Sequence, residues 1–339
     1  MPISMERRNF ISSMGHPPKA HAYIYINDIC NQKCLFCSRP PGGVPVSSRY
    51  IFGKIDGYAA DSNVGRVIFT GGEPTLHPEL ERYISYASSK GLIVDIQTNG
   101  SVLREADYKR LRDAGLRSVN FAYTSHIKGI SDVLRGVVGG FSEIENGLAG
   151  AIASGLDISL VIVMNNLNIG NLSDMVRHAA SLGASKDKLR LNLMMVCPNG
   201  AAWENKEIII PDQMKMRTSL IDACRTSSDL GIPFDISEVV PLCLVNGYED
   251  AVSSTAFRVR DIRIIDDNYN NEGSALDFNN DDQAISMKAP RCADCSLNSL
   301  CVGFYPRIAE FCGTEVFIPI NDELEVIMKK IVFGEGGSK

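Results

Sequence analysis

The sequence has no long hydrophobic run, no apolar segment near its start and no excess of positive charge. A membrane-spanning helix needs about 20 largely apolar residues, which no segment provides. Met1–Pro18 carries Glu6, Arg7 and Arg8 where a signal peptide would be apolar. With 34 basic against 40 acidic residues, the net charge of −6 argues against a broad nucleic-acid-binding face. We therefore expect a cytoplasmic protein that binds neither a membrane nor nucleic acid.

Cysteine, in contrast, is abundant, with ten residues in a chain of 339. Cytoplasmic thiols stay reduced, so clustered cysteines there indicate metal binding more often than disulfides. The length corresponds to about two domains, or to one large barrel with an appendage.

Segments of strand and helix character alternate over the first two-thirds of the chain. Six segments rich in Val, Ile and Tyr predict strands: His21–Asn27, Val67–Thr70, Ile93–Gln97, Ser118–Tyr123, Ile158–Val163 and Leu189–Val196. Glycine follows each of four helical segments between them: Pro78–Lys90, Glu105–Ala114, Phe141–Ser154 and Leu172–Leu182. This alternation predicts an α/β fold with parallel strands and function at their carboxyl ends. Six repeats favour a partial TIM-like barrel, (β/α)6, although periodicity alone also allows an open doubly wound sheet.

The pattern changes after a further helical segment at Pro211–Leu230. Asp261–Asp282 is rich in Asp and Asn without clear periodicity, which indicates an exposed loop or hairpin. We expect an N-terminal extension over residues 1–20, an α/β domain over 21–230 and a small cysteine-rich domain over 231–339.

Three cysteines, Cys30, Cys34 and Cys37, follow the first predicted strand with the spacing C-x3-C-x2-C. Three thiolates on one loop can hold three corners of an iron–sulfur cube and leave the fourth iron open. A structural zinc site would need a fourth ligand, and no His or Cys follows soon. Three unrelated thiols on one loop are the alternative.

Two glycine-containing motifs follow the next two strands. Thr70-Gly71-Gly72-Glu73-Pro74 ends the second strand, and Gln97-Thr98-Asn99-Gly100 ends the third. The glycines allow a close approach of the backbone to a ligand, although the first motif alone could be a strand-ending turn.

Together these three motifs, in this order, resemble the radical S-adenosylmethionine (SAM) enzymes over roughly Ala22–Gly200. The resemblance implies a partial (β/α)6 barrel and a [4Fe–4S] cluster held by Cys30, Cys34 and Cys37. It also implies that Gly71, Gly72, Glu73 and Pro74 bind SAM, with Glu73 facing the methionyl ammonium, while Thr98 and Asn99 meet the ribose.

The same resemblance assigns further SAM contacts, which ordinary loop chemistry would also explain. Phe36 fills the aromatic position before the third cysteine. Ser125 and Arg135, after the fourth strand, are in place for the ribose or carboxylate of SAM, and Asn165 ends the fifth strand near the expected adenine.

A second cysteine set consists of Cys243, Cys292, Cys295 and Cys301. It resembles the twitch extension, a short relative of the two-cluster SPASM domain, and implies one auxiliary [4Fe–4S] cluster. The SPASM pattern would have a further cysteine where this chain has Tyr305. Cys312 could replace Cys243 as the fourth ligand, although we favour Cys243, and a zinc knuckle would use the same thiols.

The resemblance implies reductive cleavage of SAM to a 5′-deoxyadenosyl radical that abstracts a substrate hydrogen atom. A flavodoxin- or ferredoxin-type protein would supply the electron. The substrate is a peptide or a small metabolite, and oxidation, crosslinking and epimerisation all remain open. Few residues precede the first strand, which favours a small molecule or a leader peptide bound elsewhere. A non-catalytic iron–sulfur scaffold or electron-transfer protein is the alternative, but it leaves the two glycine motifs unexplained.

Three cysteines belong to neither set: Cys197, Cys224 and Cys312. A thiol can return a hydrogen atom to a substrate radical, and we name Cys312 and then Cys197 as candidate catalytic donors. Simple packing is the interpretation that we rank above a donor role for all three.

Overall fold

A computed structural model describes residues 20–39, 42, 46–254, 264–266, 276–277 and 286–333. Its single sheet has the order β7-β6-β5-β4-β3-β2-β1-β8-β9, parallel throughout except for the β8–β9 pair. The strands are β1 Ala20–Asn27, β2 Val64–Gly71, β3 Ile93–Thr98, β4 Leu116–Ala122, β5 Asp157–Met164, β6 Leu189–Met195, β7 Phe234–Ser237, β8 Ile264–Asp266 and β9 Leu276–Asp277.

Helices connect successive strands, so the parallel sheet forms the partial barrel that the sequence predicts. They are α1 Ser48–Ala60, α2 Leu80–Ser89, α3 Glu105–Asp113, α4 Lys128–Arg135, α5 Gly140–Ala153, α6 Leu172–Ser181, α7 Gly200–Glu204, α8 Lys206–Ile209, α9 Gln213–Leu230, α10 Pro306–Cys312 and α11 Leu324–Phe333. No helix in the described ranges is long and apolar enough to cross a membrane.

The six predicted strands are all present, and the sequence analysis missed a seventh. Strand β7 has only four residues, two of them polar, and therefore gives no periodic signal. The sequence also did not predict six of the helices: α1, α4, α7, α8, α10 and α11. The two short strands β8 and β9 pair antiparallel within the predicted loop or hairpin Asp261–Asp282, most of which lies outside the described residues.

The core lies between the sheet and the outer helices. In β1, Ala22, Ile24 and Ile26 are fully buried, while the alternating Tyr23 and Tyr25 on the inner face are partly exposed. Burial of each isoleucine contributes about 1.5–3 kcal/mol. One face of β1 is thus part of the core, whereas its other face is partly accessible.

A close contact between α5 and the turn after β3 yields a stability prediction. A Cβ atom at Gly147 would lie 2.2 Å from the carbonyl oxygen of Gly100. We expect Gly147→Ala to lower the free energy of unfolding by about 1–3 kcal/mol because the helix must move outward. Urea denaturation measures the change.

The matched control is Gly53→Ala in α1, where a Cβ atom meets nothing within 4 Å. Alanine is the better helix former, so this variant should be neutral or up to about 1 kcal/mol more stable. Equal effects of the two substitutions would contradict the packing explanation.

Candidate active site

The loops that follow β1 and β2 are hydrogen-bonded to each other. The Gly72 N–H donates to the Asn27 carbonyl at 3.0 Å, and the Glu73 N–H donates to the Ile29 carbonyl at 2.7 Å. The side-chain amide of Asn27 returns a bond to the Glu73 carbonyl at 2.9 Å. The chain before Cys30 is therefore held against the second motif.

The two glycines of that motif are required by this backbone contact. Gly71 has a φ of 138°, and a Cβ atom there would lie 2.2 Å from the Asn27 oxygen. At Gly72 a Cβ atom would lie 2.3 Å from the Ile29 oxygen. Asn27 and Ile29 thus occupy the space on the Cα side of these glycines, and the predicted approach of a ligand to their backbone stays a prediction.

The carboxylate of Glu73 joins the second motif to the third. It is fully buried and accepts from the Thr75 N–H at 3.0 Å, the Thr98 hydroxyl at 2.6 Å and the Asn99 N–H at 2.7 Å. Burial raises the pKa of Glu73, and these hydrogen bonds act in the opposite direction. Pro74 begins the 3-10 turn that Glu73 caps. The predicted contact of Glu73 with the methionyl ammonium stays a prediction.

Asn99 then connects the third motif to the cysteine loop. Its side-chain amide donates to Asn31 Oδ1 at 2.9 Å and lies 3.9 Å from Cys30 Sγ. Asn31 in turn donates to the Ser101 hydroxyl at 2.9 Å. All three sequence motifs therefore meet at the carboxyl end of the sheet, as the predicted parallel strands require.

The three thiols of the first set are partly buried and free of disulfides. Burial raises the pKa of each, that of Cys34 to about 12, with Arg135 acting in the opposite direction. Such thiols stay protonated until a metal displaces their protons. No three His, Cys, Asp or Glu side chains of the described residues are arranged to hold a single metal ion. The donor set, three free thiols on one loop, fits the larger iron–sulfur cluster.

The other predicted SAM contacts occupy the same end of the barrel. Ser125 is buried and accepts from the Ile127 N–H at 3.0 Å, while the Asn165 side chain bonds within its own turn, to Val163 and Leu167. Phe36 packs on an apolar cluster formed by Leu134, Val196, Ala202, Ile209 and Ile210. Their contacts with SAM remain predictions.

Four C-terminal thiols line one small cavity: Cys243, Cys292, Cys295 and Cys301. Burial raises the pKa of Cys243 to about 12, and the other three thiols add to the effect. Cys312 does not line this cavity and packs instead on the apolar cluster that holds Phe36. The arrangement favours Cys243 over Cys312 as a companion of the other three.

Cys197 belongs to a polar group that the sequence analysis missed. Its sulfur accepts from the Asn199 amide at 3.3 Å and interacts with the hydroxyl of Tyr305, which donates to Glu238 Oε2 at 2.6 Å. Glu238 is the one described non-glycine residue with a positive φ, 70°. No sequence pattern marks this residue, because its conformation is imposed by the fold.

Comparison with known proteins agrees with this geometry. Residues 24–179 match the model of the Radical SAM superfamily. The chain carries a radical SAM domain. Radical SAM proteins use a [4Fe–4S] cluster and SAM, and the assignment of this cluster to Cys30, Cys34 and Cys37 stays a prediction.

The radical SAM domain also has more specific relatives. The chain is 28% identical over 202 residues to a PqqA peptide cyclase of Rhizobium meliloti, and 29% identical over 175 residues to a probable GTP 3′,8-cyclase of Pyrobaculum aerophilum. These matches cover 58% and 49% of the chain and span about half the length of the relatives, 52% and 56%. Streptococcus suis SuiB bound to precursor peptide SuiA shares the fold, with a TM-score of 0.64 at 13% identity over 93% of this chain and 78% of SuiB.

The buried carboxylate gives a direct test of how the radical SAM motifs are assembled. In Glu73→Gln one oxygen becomes an NH2 group that faces donors, which should destabilise the fold by about 1–3 kcal/mol. Because the loops separate, we expect SAM binding to weaken roughly tenfold. Anaerobic calorimetry and urea denaturation measure the two effects.

Glu81→Gln is the control, since that carboxylate is 49% exposed and pairs with Arg110 on the surface. Its loss should cost at most about 1 kcal/mol and leave SAM binding unchanged. If both variants behave alike, Glu73 does not organise the site.

Proposed function

We propose that this protein cleaves SAM reductively and uses the resulting 5′-deoxyadenosyl radical to abstract a hydrogen atom from a peptide. The convergence of the three motifs supports the reaction, because Glu73 and Asn99 link the glycine motif, the third motif and the cysteine loop. When bound, the cluster supplies the electron that breaks the sulfonium bond of SAM. A flavodoxin- or ferredoxin-type donor is the proposed source of that electron.

The residues of the chain hold and orient the reactants. Cys30, Cys34 and Cys37 are proposed to bind three irons and leave the fourth to SAM. Phe36 and its apolar neighbours provide a surface for an aromatic ring, and its half-buried side chain is suited to exclude water. The barrel then places the substrate C–H bond against the adenosyl carbon.

Neutral polar side chains on the middle strands support a peptide substrate. Each of β2 to β7 carries one charged side chain, and these six form three pairs between adjacent strands: Arg66–Asp95, Arg117–Asp157 and Arg190–Asp235. These pairs lie in the amino-terminal halves of their strands, away from the motifs at the carboxyl ends. On the middle strands, Gln97 lies opposite Asn120, and Asn120 lies opposite Ser159. Neutral side chains of this kind can form hydrogen bonds with a peptide backbone.

Two named relatives agree with a peptide substrate. One is called a peptide cyclase and the other, SuiB, is bound to a precursor peptide. For this chain a peptide remains a proposal, as does the product, whether oxidised, crosslinked or epimerised.

The four-thiol cavity is proposed to hold one auxiliary [4Fe–4S] cluster. Four thiols satisfy a complete cluster without an open iron, which suits electron transfer rather than binding of SAM. Cys312 and Cys197 remain candidate hydrogen-atom donors, and the position of Cys312 on the apolar cluster beside Phe36 favours it.

The reaction is tested first through Cys34. Cys34→Ala should abolish 5′-deoxyadenosine formation under dithionite and reduce bound iron by about half, because three thiolates are needed for the first cluster. Cys224→Ala, a thiol within α9 outside both sets, is the control. Iron-loaded wild-type protein that forms no 5′-deoxyadenosine would point instead to a scaffold or electron-transfer protein.

The auxiliary ligands are tested separately. Cys243→Ala should lose about half of the iron yet still cleave SAM, whereas Cys312→Ala should keep all of it. Iron analysis of anaerobically purified protein distinguishes the two. If only Cys312→Ala loses iron, the fourth ligand of the auxiliary cluster is Cys312 and not Cys243. If the cavity holds zinc, the auxiliary-cluster assignment is wrong.

A further inference from the structure

The carboxyl end of α4 is hydrogen-bonded to the loop that carries the first three cysteines. The Lys33 N–H donates to the Arg135 carbonyl at 3.1 Å, and the Leu35 N–H donates to the Leu134 carbonyl at 3.0 Å. Gly136 ends the helix with a φ of 62°, and a Cβ atom there would lie 2.5 Å from the Lys33 oxygen. The backbone between Cys30 and Cys37 is thus fixed by a helix end.

The side chain of Arg135 reaches under the same loop. It is fully buried, and its guanidinium donates to Gln32 Oε1 at 3.1 Å, to the Asn99 carbonyl at 2.9 Å and also to the carbonyl of Ala122. Its Nε lies 3.3 Å from the Ser131 hydroxyl. One side chain therefore connects the cysteine loop with the ends of β3 and β4.

This cation is buried without a directly bonded anion among the described residues. All the oxygens that it contacts there are neutral, and an uncompensated buried charge is costly. The charges of opposite sign that act on Arg135 without bonding to it are the carboxylates of Glu73 and Asp132, together with Cys34 once it is a thiolate. Gln32 connects Arg135 to Cys34, because Cys34 Sγ lies 3.7 Å from the same Gln32 Oε1 that accepts from Arg135.

We propose that Arg135 is a positioning residue for the cluster, whose negative charge it compensates from beneath the loop. This inference rests on the proposed function. A buried positive charge favours the reduced, more negative cluster, so Arg135 raises the reduction potential. The predicted contact of Arg135 with SAM stays a prediction, although Ser131, Gln32, Asn99 and Ala122 accept from four of the five N–H groups of its guanidinium.

The experiment is a redox titration of the reconstituted protein without SAM, followed by electron paramagnetic resonance. In Arg135→Met the ratio of reduced to oxidised cluster at a fixed potential should fall about tenfold, which for one electron equals about 59 mV. Arg135→Lys retains the charge and should restore most of that ratio. Arg177→Met removes a 60% exposed surface charge and should change nothing.

A second variant covers the possibility that Arg135→Met does not fold. Gln32→Glu keeps the contact with Arg135 but adds a negative charge next to Cys34, so the same ratio should fall while iron content is retained. An unchanged ratio in SAM-free Arg135→Met, or in Gln32→Glu if the former is unfolded, overturns the proposal. Tenfold weaker SAM binding with an unchanged ratio would assign Arg135 to SAM instead.

Measurements on the wild-type protein distinguish a failure of this inference from a failure of the proposed function. A wild-type cluster that reduces and cleaves SAM, with potentials equal in all variants, contradicts only the role of Arg135. Wild-type protein that forms no reducible cluster contradicts the proposed function, and the inference with it.

Discussion

The hydrogen bonds of one buried carboxylate determine how the site is assembled. Glu73 would be costly to bury alone, and donors from Thr75, Thr98 and Asn99 compensate it. Because those donors lie on two different loops, the carboxylate fixes the end of β2 relative to the end of β3. The backbone bonds of Gly72 and Glu73 to the β1 loop extend this constraint to the cysteines. A ligand at this end of the barrel therefore meets preformed loops.

Charged side chains are paired on the strands of the barrel but separate from each other at its carboxyl end. The three arginine–aspartate pairs between adjacent strands leave no strand charge of β2 to β7 unpaired. At the carboxyl ends, Glu73 and Arg135 are both fully buried, and each is bonded mainly to neutral groups. Because the charges on the strands are paired, they exert little net electrostatic effect. The charges of Glu73 and Arg135 at the carboxyl ends are separate and act on a ligand that binds between the loops.

The sequence predicted the parts of the molecule that depend on local pattern. Strands β1 to β6 alternate or are continuously apolar, and the cysteine and glycine motifs follow them directly. Strand β7 is too short to show a period, and α4 carries a Gly near its start, so both were missed. Gln32 and the hydrogen bonds of Arg135 could not be predicted, because their partners come from β3 and β4 and depend on how the loops pack.

Tyr305 has a structural role that a cysteine at the same position could not have. Tyr305 stands where the SPASM pattern has a ligand, and it is buried and donates to Glu238 at the end of β7. Four residues earlier, Cys301 lines the four-thiol cavity, and two residues later Arg307 stacks on Trp203 and donates to the Pro198 carbonyl. A cysteine at this position could not bridge to Glu238. Tyr305 therefore provides a contact between the cysteine-rich region and the end of β7, and this contact helps to explain why Glu238 holds a conformation unfavourable for its residue type.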